Sequence, residues 1–257
     1  MAVTAPILAP HGDSAVVDVL GLRLHALSSV GAMTRLMGFI HSGEPHQVIT
    51  ADATSMVIAV GDAAYRRLLR DADLVTADGA GLLWAARRCQ IRLPARVSGV
   101  DLAAGLCSRS GHERYDVYLF GGAPGVAERA ANHLCDQFPG CRIVGVAHGF
   151  QDAAGERAVL DDIAAKRPDV LLVGMGIPRQ EKWIALHQER LRVPVAMGVG
   201  GSLDVFAGVV RRAPIWMQAH GLEWLFRLLQ DPRKLKKVAI LPRFVWRVLL
   251  RRRLPDA

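Results

Sequence analysis

What most limits how this chain can fold is an alternation: short apolar runs, several ending on glycine, are separated by amphipathic segments. The runs 74–76, 115–121, 169–173 and 193–199 exit into Gly79/Gly81, Gly121/Gly122/Gly125, Gly174/Gly176 and Gly198/Gly200/Gly201. Between the runs lie helical patterns, such as Met33, Leu36, Met37 and Ile40 at i, i+3, i+4, i+7. Strand followed by helix at this pitch predicts right-handed βαβ units and a largely parallel sheet. The expected fold class is α/β and Rossmann-like, with helices flanking the sheet. In a parallel sheet the strand exits share one edge, so the glycine-rich turns gather there. Backbone can approach a ligand closely at such turns. Amides and helix N-termini on that edge suit an anion such as a diphosphate.

Further strands are expected over 16–20, 22–27, 47–50 and 141–147. Helices are expected over 31–41, 54–60, 62–70, 81–88, 100–109, 126–138, 156–166 and 181–190. Residues 1–14 read as a loose leader, without the basic region and apolar core of a signal peptide. No run of about 18 apolar residues is present, so no transmembrane helix is expected.

The chain is 51% hydrophobic and 22% charged, enough for a full core. Its net charge of +8 is unevenly spread. From Arg211 onward there are 12 Lys/Arg and 3 Asp/Glu, whereas residues 1–210 hold 20 and 21. The reading is an α/β core over 1–210 and a basic, amphipathic helical appendage over 211–257. Within 233–253, Lys236, Lys237, Arg243, Trp246, Arg247 and Arg251 are candidate membrane contacts, with Leu241, Val245, Val248 and Leu249 on the opposing face. Such a segment suits an anionic leaflet. No nucleic-acid motif accompanies the charge, so nucleic acid is not an expected partner. The four cysteines form no CxxC pair and read as reduced, mostly buried thiols.

Asp78 is the leading candidate for chemistry. It follows the run Leu74–Val75–Thr76 and precedes Gly79 and a helix start. Open α/β sheets bind ligands at such strand ends; the competing reading is that Asp-Gly is turn punctuation. Phe120–Gly121–Gly122–Ala123–Pro124–Gly125 sits where a phosphate loop would. It is not GxGxxG, the strand after it ends without an acid, and no GxxxxGK[ST] occurs. These absences argue against a nicotinamide enzyme and a P-loop NTPase. No acidic pair follows a strand to bridge a metal, so diphosphate binding by amides and arginines is expected, with no metal and no cofactor.

Several blocks together carry a resemblance. They are Val48–Ile49–Thr50, Ala72–Asp73–Leu74–Val75–Thr76–Ala77–Asp78–Gly79, Arg96–Val97–Ser98–Gly99–Val100–Asp101–Leu102 and Phe120–Gly121–Gly122. They continue with Gly174–Met175–Gly176–Ile177–Pro178–Arg179–Gln180–Glu181, then Gly198–Val199–Gly200–Gly201–Ser202–Leu203–Asp204, Arg212–Ala213–Pro214 and Gly221–Leu222–Glu223–Trp224. The chain resembles the TagA/WecG/CpsF family of bacterial glycosyltransferases, glycosyltransferase family 26, over residues 16–235.

That resemblance implies an inverting, metal-independent enzyme of cell-envelope or exopolysaccharide synthesis. It would move a sugar from a UDP-sugar to a polyprenyl-diphosphate-linked acceptor, as a peripheral protein on the cytoplasmic face of the inner membrane. The donor would be of the N-acetylmannosamine or the glucose type. Asp78 matches the family's proposed base, and Thr50 and Gln180 match residues near the donor sugar. Gly121 and Gly122 would sit by the diphosphate, and Asp204 would read the uracil. Arg179, Arg211, Arg212 and Arg227 are candidates for the leaving UDP, because guanidinium forks match phosphate oxygens. His148 reads as structural or substrate-positioning. One departure stands out: the family usually has Asn where this chain has Asp52. An extra carboxylate there repels a sugar diphosphate unless it is protonated or paired with an arginine. A non-catalytic nucleotide-binding module on the membrane surface is the alternative, and a homo-oligomer is compatible with either reading.

Overall fold

The computed structural model describes residues 15–219, 222–230 and 239–255, without the side chains of Ala219 and Arg227. The expected leader, Lys236 and Lys237 therefore lie outside the described residues, as does the Arg227 side chain.

The chain opens with β1 (Val16–Val19) and β2 (Leu22–His25) and continues through α1 (Ser29–Ser42), β3 (His46–Ala51), α2 (Ala53–Gly61), α3 (Ala63–Asp71) and β4 (Leu74–Ala77). Next come α4 (Ala80–Arg88), α5 (Gly99–Glu113), β5 (Val117–Gly121), α6 (Val126–Gln137), β6 (Ile143–Ala147) and α7 (Ala153–Lys166). They are followed by β7 (Val170–Gly174), α8 (Arg179–Leu191), β8 (Val195–Gly198) and α9 (Ser202–Phe206). The basic end holds α10 (Ile215–Ala219), α11 (Glu223–Gln230) and α12 (Leu241–Leu249).

Strands β3 to β8 form one parallel sheet in the order β4-β3-β8-β7-β5-β6. The Rossmann-like α/β expectation is met. The first two runs stay out of this sheet and pair with each other as an antiparallel hairpin. Their two-residue link is far too short for a parallel crossover. The hairpin lies beside β4, where the His25 Nδ1 accepts the Val75 amide at 3.0 Å.

Period-2 alternation divides the strand residues between two helical layers. Val117, Leu119, Leu172 and Met197 pack with residues of α1, α5 and α6. Tyr118, Phe120, Leu171 and Val173 pack with residues of α7 and α8. A third cluster joins Ile49 and Val75 to α2, α3, α4 and the hairpin. The order of strands places the crevice. β5 connects outward to β6, whereas its neighbour β7 connects the opposite way, to β8. Adjacent strands whose connections diverge leave a cleft at their C-terminal ends.

The basic end is not all surface. Phe244 and Val248 of α12 are 2% and 1% exposed and belong to the cluster of α2 and α4. Trp84 lies against Phe244 with ring centroids 6.1 Å apart. Leu254 is buried as well, and its amide donates to the Leu20 carbonyl at 2.7 Å. Val248, expected on the lipid-facing side, thus faces the protein. Burial of each large apolar side chain is worth about 1.5–3 kcal/mol, so this segment helps hold the body together. Arg243, Trp246 and Arg251 remain exposed, with Trp246 at 61%. Arg247 turns back and donates to the Arg252 and Arg253 carbonyls at 3.1 and 2.8 Å.

Candidate active site

At the crevice the strand exits are laced together by backbone. The Gly122 amide donates to the Gly174 carbonyl at 3.0 Å, and the Gly149 amide donates to the Gly122 carbonyl at 2.8 Å. The Val199 amide donates to the Val173 carbonyl at 2.9 Å. Gly121 has φ +141°, and a β-carbon on it would collide with the Gly174 backbone. No other residue fits there, which is why glycine was legible at this turn. Pro124 and Gly125 then lead into α6, whose N-terminus opens onto the same edge. The exposed Arg179, first residue of α8, reaches across and donates to the Gly149 carbonyl at 3.3 Å. Phe150, 71% exposed, follows this glycine. These parts place the open N-terminus of α6, a cation and an aromatic ring on one edge.

Asp78 occupies the β3–β4 half of the edge. Its amide donates to the Ala51 carbonyl at 2.7 Å, which fixes its backbone to the end of β3. Its Oδ2 accepts the Gly99 amide at 3.1 Å and faces the Ser98 hydroxyl at 3.5 Å. The acid therefore sits on the N-terminus of α5. Burial pushes its pKa up to about 6; the Gly99 hydrogen bond and the Arg96 charge oppose that rise, and Asp52 and Glu223 add to it. Arg96 is itself held by Glu223 at 3.1 Å, a bond that ties α11 to this half of the site. A carboxyl with a pKa near 6 can take up a proton at neutral pH more readily than an ordinary aspartate.

Between the halves lies a buried pair on the first turn of α8. Gln180 is 2% exposed. Its Oε1 accepts the amides of Gly176 at 3.1 Å and Gly200 at 2.9 Å, and so ties the β7 exit to the β8 exit. Its Nε2 donates to Glu181 Oε1 at 2.7 Å. Glu181 is 1% exposed; its Oε2 finds no hydrogen-bond partner among the described residues, and burial pushes its pKa up to about 7. The Gln180 amide is thus committed within the protein, and its place is to hold two glycine turns.

The remaining sequence candidates fall around these centres. Thr50 pairs with Thr76 across β3 and β4, and its hydroxyl points to the Gly198 carbonyl at 3.4 Å. Asp52 caps α2: its Oδ1 accepts the Ser55 amide at 2.9 Å, and the Ser55 hydroxyl lies 3.3 Å away. The arginine partner considered for Asp52 is not found among the described residues. Arg212 is engaged by Asp101 through both nitrogens at 2.7 and 2.9 Å, within electrostatic reach of Asp78. Arg211 is clasped through its backbone by Gln230 of α11. Asp204 lies in the first turn of α9, at the β8 exit. His148 packs with Gln151 at the β6 exit. Among the described residues no group of His, Cys, Asp and Glu is arranged to hold a metal ion.

Sequence reasoning passed over Arg96, Phe150 and Glu181 as site residues. Arg96 opens the Arg96–Leu102 block that carries the resemblance, but no role attaches to it there. Glu181 looks like an ordinary acid in a first helical turn, where the dipole favours it; only packing shows that it is buried.

The chain is similar to known proteins over most of its length. The family described as "Glycosyl transferase WecG/TagA/CpsF family" matches residues 17–256. Two curated relatives, from Staphylococcus aureus strains MW2 and NCTC 8325 / PS 47, are each 30% identical over 241 residues. The match covers 93% of this chain and 94% of each relative. Both are named N-acetylglucosaminyldiphosphoundecaprenol N-acetyl-beta-D-mannosaminyltransferase.

Proposed function

Since the chain belongs to the WecG/TagA/CpsF family of glycosyl transferases, we propose that it moves a hexose or N-acetylhexosamine from a UDP-sugar to a polyprenyl-diphosphate-linked acceptor, with inversion and without a metal. The observation that carries this is Asp78: a carboxyl tuned to about 6 at the same sheet edge as the open N-terminus of α6 and Arg179. The names of the curated relatives support a lipid-linked acceptor and an N-acetylmannosamine-type donor. The carboxylate of Asp52, close enough to raise the Asp78 pKa, favours a neutral sugar over a uronate.

In this reading the acceptor hydroxyl attacks C1 of the donor on the face opposite UDP. Asp78 takes the hydroxyl proton as the new C–O bond forms. The bond from C1 to the diphosphate oxygen breaks, and the charge left on UDP meets the α6 N-terminus and Arg179. Gln180 fixes the turns before the reaction, so little reorganisation is needed. Phe150 offers a face for the base, and Asp204 an acceptor for its N–H.

The protein would act on a membrane surface, on its cytoplasmic side. No described helix is long and apolar enough to cross a membrane. Exposed Trp216, Leu229, Trp246 and Leu249 at the basic end, with Arg243 and Arg251, support contact with an anionic leaflet.

The test is UDP release from UDP-glucose, UDP-N-acetylglucosamine, UDP-N-acetylmannosamine and UDP-glucuronate in turn. Each is supplied with a polyprenyl-diphosphate-sugar acceptor, with and without EDTA. Release from one neutral donor, unaffected by EDTA and abolished by Asp78→Asn, is expected. UDP binding without release from any donor would leave a nucleotide-binding module instead.

A further inference from the structure

The first turn of α8 carries two adjacent buried side chains whose contacts reach both halves of the site. Toward β7, Gln180 Oε1 gathers the Gly176 and Gly200 amides, and the Gly174 carbonyl accepts the Gly122 amide. Toward β3, the pair rests on Gly198, the last residue of β8, the strand that lies between β3 and β7. A β-carbon on Gly198 would come within 2.5 Å of Gln180 Nε2 and 2.9 Å of Glu181 Oε1. The Gly198 carbonyl lies 3.4 Å from the Thr50 hydroxyl. Thr50 packs in turn on Gly99, where a β-carbon would meet its Oγ1 at 2.8 Å. The Gly99 amide holds the Asp78 carboxyl. Contacts therefore run from the glycine turns through Gln180 and Glu181 to Asp78. A second tie to β3 comes from Gln47, whose Nε2 donates to the Glu181 carbonyl at 2.9 Å.

We propose that Glu181 is a positioning residue for sugar transfer: by holding the Gln180 amide, it fixes the diphosphate half of the site relative to Asp78. The proposal rests on the transferase reading above. A primary amide has an acceptor side and a donor side. The acceptor side of Gln180 is spent on two backbone amides. Its donor side faces the interior, where an N–H without an acceptor is costly. Glu181 Oε1 meets that need at 2.7 Å. Oε2 finds no partner among the described residues, so the service of this carboxyl lies at Oε1. Both side chains are buried, and Glu181 acts through Gln180 rather than on a substrate.

The consequence falls on alignment. Nucleotide is held by one half alone, whereas transfer needs both halves in register. A misplacement of about 1 Å can cost about 10²-fold in rate.

The full chain is compared with Glu181→Leu, Glu181→Gln, Gln180→Leu and the double variant Gln180→Leu/Glu181→Leu. Rates are normalised to UDP-binding sites counted by calorimetry. Glu181→Leu is expected to lower kcat by about 10–100-fold while UDP affinity stays within about threefold of wild type. Glu181→Gln keeps an acceptor for Gln180 Nε2 and should restore most of that rate. The double variant should be no slower than Gln180→Leu, because the two side chains act as one unit. Hydrogen exchange at the Gly176 and Gly200 amides, followed by NMR, needs no transfer: it should quicken in Glu181→Leu and stay slow in Glu181→Gln. A wild type that transfers no sugar overturns the transferase reading, and exchange still decides whether Glu181 holds the Gln180 amide. Equal loss of UDP affinity and kcat, additive effects in the double variant, or unchanged exchange in Glu181→Leu overturns the proposal. Should Glu181→Leu fail to fold, unchanged exchange in Gln180→Leu or lost protection in Glu181→Gln overturns it.

Discussion

The two halves of the sheet edge are built from different materials. The β5–β7 half offers backbone: glycine turns laced by amide–carbonyl bonds, with the N-terminus of α6 and Arg179 at their edge. The β3–β4 half offers carboxyls, with Asp78 seated on the α5 N-terminus and Asp52 capping α2. A helix N-terminus and an arginine hold an anion whatever the pH, whereas a buried carboxyl changes state near neutrality. The difference suggests a division of labour, with charge held on one side and a proton accepted on the other.

The largest expected effect breaks the carboxyl half alone. Asp78→Asn keeps the size of the side chain and can still accept the Gly99 amide. It should lower the rate of sugar transfer by about 10²–10⁴-fold while UDP binding persists in calorimetry. Equal loss of binding and turnover would mean that Asp78 belongs to the anion-binding half and that the division is false.

Glu181→Gln probes the seam between the halves. The folded-state pKa of about 7 lies above the ordinary 4.5, so the folded protein holds an extra proton between those values. That contribution to stability is complete below pH 4.5 and is lost as pH rises through about 7. A glutamine keeps the acceptor for Gln180 Nε2 and cannot ionise. Denaturant unfolding at pH 8 should therefore show the variant more stable than the wild type by up to about 3 kcal/mol, with a smaller difference at pH 5. A difference that does not change with pH would show that Glu181 is already ionised in the fold.

Gly121→Ala breaks the backbone half. Its φ of +141° disfavours a side chain, and the added methyl meets the Gly174 backbone. A strained backbone of this kind costs about 1–3 kcal/mol, and UDP affinity should fall more than the unfolding midpoint does. Undiminished UDP binding would move the diphosphate away from this turn.

The smallest effect sharpens the proton side. With Asp78 near 6, kcat/KM should fall on the acid side of about pH 6, because a base must be deprotonated to act. Arg96 lowers that pKa, so Arg96→Ala should move the acid limb to higher pH. A limb that stays in place would assign it to another group.

Much of the fold was legible because burial on both faces writes itself into a parallel strand as a continuous apolar run. Glycine after the run marks a turn that no side chain can share. Asp78 was legible for the same reason, since a polar residue directly after a buried strand has few structural uses. The hairpin was foreseen as two strands but not as a sheet of its own. Glu181 was hidden because a first-turn glutamate is normally solvated. Arg96 was visible only as the start of the Arg96–Leu102 block, because nothing along the chain places it beside Asp78. The basic end was read from its charge, and its inward face, Phe244 and Val248, could not be separated from its outward one.

The sequence by itself determined the α/β class, the edge where the glycine turns gather and the family, and it put Asp78 forward as the leading candidate for the chemistry. All of these follow from local order along the chain: alternation, turn residues and short blocks in a set succession. The tertiary structure alone decided which strands neighbour each other, and hence where the cleft opens. It also decided that Gln180 is spent on two turn amides, and that Glu181 is buried with one oxygen unpaired among the described residues. These depend on contacts between residues far apart in the chain. Such contacts set burial, and burial sets which groups hold a proton.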